Sequence, residues 1–116
     1  MTINKNIIVQ LQIEGVHFWK NCDLKDVDYL KYLHRHTFHI KVAKAVTHND
    51  RDIEIIKFKT DIRAYLLTNF YDHVFKLCNF KNMSCEDIAE LIYNEFDCAG
   101  VQVLEDNENG AEIQKA

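Results

Sequence analysis

Two stretches of strict apolar alternation constrain this chain more than any other feature. Residues 7 to 14 read I-I-V-Q-L-Q-I-E, with Ile7, Val9, Leu11 and Ile13 on one parity. From His34 the run H-R-H-T-F-H-I-K-V places His34, His36, Phe38, Ile40 and Val42 on one parity as well. A period of two is the pattern of a half-buried strand, because successive side chains point to opposite faces. The chain therefore builds a sheet with one covered face, and two histidines share that face with the core. The first strand leaves through Gly15-Val16-His17, which brings a third histidine to a strand end.

Helical periodicity follows the strands. After the turn-like His48-Asn49-Asp50, a short extended piece at 53 to 58 leads to Thr60-Asp61. The next segment spaces Ile62, Leu66, Phe70, Val74 and Leu77 by three and four, which predicts one helix. Ser84 with Asp87 three residues on is a capping-box signature, so a second helix starts at Cys85 and carries Ile88, Leu91, Ile92 and Phe96 on its buried side. Beyond Gly100, Val101 and Val103 alternate with Gln102, and Asn109-Gly110 supplies a hairpin turn ahead of Ala111 and Ile113. The expected order is β-β-α-α-β-β, an α+β fold with two helices on one face of an antiparallel sheet. A possible short strand precedes the first helix. The stretch 18 to 33 is long for a hairpin connection, and such excursions often carry function and can cover a site.

Composition narrows the partners. At 116 residues with 47% apolar side chains, the chain has the size and core material of one domain spanning residues 1 to 116. A net charge of -4 leaves no basic footprint for nucleic acid. No run approaches the length of a membrane helix, and the start MTINKNIIVQ lacks a basic region followed by an apolar run, so a soluble, cytoplasmic protein is expected. The four cysteines, Cys22, Cys78, Cys85 and Cys98, form no C-x-x-C pair and are expected as reduced thiols.

An H-x-H on a strand points both imidazoles to one side, where they can grip one cation, and a histidine on a neighbouring strand completes a three-nitrogen face. On spacing alone His17, His34 and His36 are either such ligands or ordinary strand histidines hydrogen-bonded to neighbours. His39 stands on the opposite parity and reads as a surface or subunit-contact residue; His48 lies in a polar turn.

The order of features around these histidines resembles the 6-pyruvoyl-tetrahydropterin synthase and 6-carboxy-tetrahydropterin synthase family, of the tunnelling fold. Gly15-Val16-His17 stands where the family's first strand ends in histidine. His34-Arg35-His36-Thr37-Phe38 is similar to its His-Gly-His-aromatic, Tyr71-Asp72-His73 to its hydrophobic-Asp-His, Ser84-Cys85-Glu86 to its Thr-x-Glu, and Val101-Gln102-Val103-Leu104-Glu105 to the strand that ends in a pterin-anchoring glutamate. The resemblance implies Zn2+ on His17, His34 and His36, a pterin or purine-like ring held by Glu105, Glu86, Ser84 and Cys85, and a homo-oligomer, a hexamer, whose sheets join into a barrel with pockets at subunit interfaces. It also implies a carbon–oxygen lyase acting on dihydroneopterin triphosphate, with Asp72, His73 and Cys22 moving protons.

Two departures bear on turnover. The family's cysteine stands a few residues before the His-x-His, where this chain has Leu30-Lys31-Tyr32-Leu33; Cys22 is the one thiol in that loop, and a loop thiol without a positioned partner is usually inert. Arg35 replaces the glycine and either narrows the pocket or adds a donor for an anion. Asp72 and His73 form either a general-base pair or a structural cap at a helix end. The alternative to a lyase is therefore a non-catalytic member that binds or sequesters a nucleotide-type ligand.

Overall fold

The computed structural model describes residues 3 to 116. Strands β1 (Lys5–His17) and β2 (His34–Val46) pair antiparallel over all of their 13 residues, from Lys5 opposite Val46 to His17 opposite His34. β2 then pairs with the later strand Gly100–Glu105, which closes a hairpin with Asn109–Gln114. Between these two halves of the sheet in sequence lie α1 (Ile55–Phe70), β3 (Tyr71–Asp72), β4 (Leu77–Asn79) and α2 (Cys85–Phe96), so the last hairpin is β5 and β6. The sheet has six strands in the order β3-β4-β1-β2-β5-β6.

One core runs through the molecule. Val9, Leu11 and Ile13 of β1, Phe38, Ile40 and Val42 of β2, and Val101 and Val103 of β5 meet Phe58, Ile62 and Leu66 of α1 and Ile88, Ala89 and Ile92 of α2. All the strand residues have the parity expected from the alternation, and both helices cover that one face. On the other face Ile8, Gln10, Gln12 and Glu14 are exposed. The four cysteines are buried and unpaired. Among the described residues no helix is long and apolar enough to cross a membrane.

The second helix follows its sequence signature. Ser84 Oγ accepts the Asp87 N–H and an Asp87 carboxylate oxygen accepts the Ser84 N–H, both at 3.0 Å. At its far end the Lys44 ammonium, reaching from β2, donates to the carbonyls of Phe96 and Asp97 at 2.6 and 3.0 Å, where a helix offers free acceptors.

Four expectations are corrected. Residues 53 to 58 do not form a strand: Glu54 caps α1 by accepting the Ile56 and Lys57 N–H groups, and the helix is under way at Ile55. The helix does not continue to Leu77. It stops at Phe70, and the Asp72 carboxylate accepts the N–H groups of Val74 and Phe75, folding the chain into the β3-β4 hairpin and leaving Val74 exposed. The sheet is mixed, not antiparallel throughout, because β4 runs parallel to β1 at Gly15 and Val16. Finally, the β5-β6 turn falls on Asp106 and Asn107, at φ 54° and 58°, with Asn109 and Gly110 already in the ladder. Gly110 is required there because a Cβ would overlap the Val103 carbonyl.

Candidate metal centre

The register of β1, β2 and β5 gathers three strand ends at one rim of the sheet. His17 closes β1 opposite His34, His36 lies opposite Gly15, and Glu105 closes β5 opposite Phe38. Their parity is that of the core, so all four side chains continue the covered face past Phe38. One ligand atom from each of His17, His34, His36 and Glu105 lies within 4.8 Å of the other three. Among the described residues this is the one such cluster.

The second nitrogen of each ring fixes its tautomer. His17 Nδ1 donates to the Met83 carbonyl and His34 Nδ1 to the Tyr32 carbonyl, each at 2.8 Å; His36 Nδ1 donates to a carboxylate oxygen of Asp106 at 2.7 Å. Carbonyls and carboxylates only accept, so Nδ1 carries the proton and a neutral ring presents its lone pair at Nε2. Nε2 of His17 and of His36 are buried and, with the proton on Nδ1, have no N–H to donate and no donor facing them. Glu105 stands against them, one oxygen 2.8 Å from His17 Nε2 and the other 3.6 Å from His36 Nε2. Lone pairs facing a carboxylate repel unless a proton or a cation lies between them. Three imidazoles and a carboxylate with their outer nitrogens anchored suit a divalent transition metal such as zinc.

The titration behaviour reports the same crowding. Burial works against a charged His17, but the Glu105 carboxylate and the Met83 carbonyl outweigh it and hold its pKa above 6.5. His17 in turn holds the Glu105 carboxyl below its ordinary value despite burial, with His36 and His34 adding to the effect. Burial lowers His34, and the neighbouring histidines push the same way. A metal needs neutral rings, so a proton competes at His17 from above pH 6.5 and at His34 only further into acid. The affinity for a divalent metal is therefore expected to decline gently just above pH 6.5 and steeply below it. Competition titrations between about pH 8 and pH 5 check this; a flat profile contradicts it.

A cavity of about 390 Å³ opens beside the cluster, with His17, His34 and Glu105 on one wall and Ser84, Cys85 and Glu86, at the start of α2, on another. Phe18, Trp19 and Leu30 of the long connection form a third, so that segment does border the site. The Trp19 N–H donates to the Leu30 carbonyl at 2.7 Å, which ties the start of the segment to its short 3-10 helix at Lys25–Lys31. Burial first, then the adjacent Glu105 charge, pushes the Cys85 thiol up to about 12, so it is a neutral wall group. A larger hollow of about 650 Å³ lies on the uncovered sheet face between Ile8 and Gln102 and contains none of the cluster.

The residues expected to move protons lie elsewhere. Cys22 is buried with its thiol turned to the Val27 carbonyl at 3.7 Å. Asp72 is engaged by Val74 and Phe75, and His73 packs edge-on against Tyr71 with ring centroids 4.9 Å apart. None of the three belongs to the cluster or lines the cavity of its own chain. Residue pattern alone assigns neither Glu105 to the cluster nor Asp106 to the back of His36. The parity of Val101, Val103 and Glu105 was the available signal for the first; nothing in the residue pattern marked the second. No protein-family model matches the chain, and no curated protein matches it significantly.

Proposed function

We propose that this chain is a zinc protein of the pterin-synthase-like, tunnelling-fold type that binds a flat 2-amino-4-oxo heterocycle, a pterin or a purine-like ring, beside its metal. The observation that carries the reading is the cavity that brings Cys85 and Glu86 of α2, and Ser84 at its cap, up to Glu105 and the histidine cluster. A carboxylate accepts two N–H donors from such a ring edge as it does from arginine. Zinc, when bound, supplies a Lewis acid for a hydroxyl or carbonyl oxygen. Glu86 orients the ring, and the apolar wall of Phe18, Trp19 and Leu30 excludes water from it.

Retention of the ligand is better supported than turnover. Cys22 is sealed away, and the residues lining the cavity include no lysine or arginine to take a triphosphate. Carbon–oxygen lyase activity on dihydroneopterin triphosphate requires Asp72 and His73, and these reach a pocket only if assembly places them at a neighbouring copy's. The sheet is suited to assembly: β1 meets β4 only at Gly15 and Val16, which leaves its edge from Lys5 to Glu14 open, and β6 forms the opposite open edge. Pairing β6 of one copy with β1 of the next closes both edges and joins the sheets into a barrel, as in a trimeric ring or a hexamer of two rings.

Glu86 is the cleaner probe, because it borders the cavity without belonging to the metal cluster. Glu86→Gln is expected to weaken binding of pterin or guanine about 10- to 100-fold, the value of a charge-assisted hydrogen bond, with zinc content unchanged. Calorimetry on the zinc-loaded protein checks this, and unchanged affinity removes Glu86 from the pocket. Release of triphosphate from dihydroneopterin triphosphate would replace retention with turnover.

A further inference from the structure

The three Nδ1 hydrogen bonds differ in kind. His17 and His34 donate to backbone carbonyls, which no side-chain substitution removes. His36 donates to a side-chain carboxylate. Asp106 is itself held at two further points: its second oxygen accepts the Thr37 N–H at 3.0 Å, and its own N–H donates to the Thr37 carbonyl at 2.8 Å. Its backbone takes the left-handed turn conformation at φ 54°, which aspartate tolerates better than most residues. Thr37 is anchored in turn, its hydroxyl donating to Glu14 at 2.8 Å. The β5-β6 turn, β2 and β1 are thus tied together behind one ring.

We infer that Asp106 is a positioning residue of the metal centre: it keeps the proton of His36 on Nδ1, aims the Nε2 lone pair at the cluster and strengthens that nitrogen as a ligand. This rests on the metal reading above. A carboxylate partner draws the Nδ1 proton toward itself and leaves more electron density on Nε2 than a carbonyl does. It also balances charge: with neutral rings, Glu105 and Asp106 together offset a divalent cation. Asp106 does not line the cavity, so it acts through His36 and not on a ligand.

Asp106→Asn is the informative variant. An amide has one oxygen, and if that oxygen serves the Thr37 N–H, the amide NH2 faces His36 Nδ1. The ring must then accept there, its proton moves to Nε2, and no lone pair remains for a metal. Competition against a chromophoric chelator is expected to show zinc affinity reduced about 10- to 100-fold in Asp106→Asn, with part of the loss restored in Asp106→Glu and with altered d–d absorption of the cobalt-substituted protein. Ring-nitrogen NMR of the unmutated protein at about pH 8 is expected to find the His36 proton on Nδ1 both without metal and with zinc. Asn and Ala variants that bind zinc within about twofold of the parent, or a His36 proton on Nε2 in the parent, would overturn the inference. A parent that takes up no zinc would instead defeat the metal reading, while the ring NMR still decides the Asp106–His36 pairing.

Discussion

Phe38→Ala is expected to remove about 3–5 kcal/mol of stability, the cost of emptying a fully buried aromatic site. Phe38 is 0% exposed and joins the core to the site: its ring meets Phe80 and His17 edge-on at 5.2 Å and His36 at 5.8 Å. It also occupies the space opened by Gly15, where an added Cβ would come within 2.9 Å of both Phe38 and Phe80. Around the ring stand Gly15 and His17 of β1, His36 of β2 and Phe80, and the pairing of β1 with β2 along their whole length resists collapse into the void. For a chain of this size the melting temperature of the metal-free protein should fall by on the order of 10 °C or more. Urea unfolding of the metal-free variant measures the loss directly, and a change below about 1 kcal/mol would show that the sheet repacks where the account says it is rigid.

The second large effect concerns binding. His34→Ala combined with His36→Ala removes two of the four donors in the cluster. If zinc binding at the cluster amounts to about 10–16 kcal/mol, two ligands carry on the order of 6 kcal/mol, or about 10⁴-fold in affinity. The fold should survive, because both rings lie at the rim of the sheet and neither is fully buried. Circular dichroism together with chelator competition checks both halves, and a folded double variant that holds zinc within about tenfold of the parent would mean that the metal binds elsewhere.

How far the residues themselves disclosed this arrangement varies along the chain. β1, β2 and the parity of His34 and His36 were legible, because a period of two decides which face each side chain takes. The start of α2 was legible through the reciprocal Ser84 and Asp87 bonds. α1 was displaced because Glu54, a weak cap by residue type, performs the capping, and because Ile53 and Ile55 imitate a strand. The β3-β4 hairpin was hidden for a related reason: Val74 and Leu77 continue the helical spacing of Phe70, and only the Asp72 turn, a side-chain-to-backbone contact, breaks it. The resemblance implies a ring anchor at Glu105, whereas the approach of Glu105 to His17 depends on the β2-β5 register, which no local pattern encodes. Asp106 stood outside every motif, since its role arises from two strands meeting at a turn.

The measurement closest to the central claim is elemental analysis of the untagged parent protein, purified without chelator. About one zinc per chain is expected, in keeping with one four-donor cluster. A parent that carries no metal, and takes up none when zinc is supplied at neutral pH, would contradict it and leave the three histidines as a structural rim held by Glu105 and Asp106.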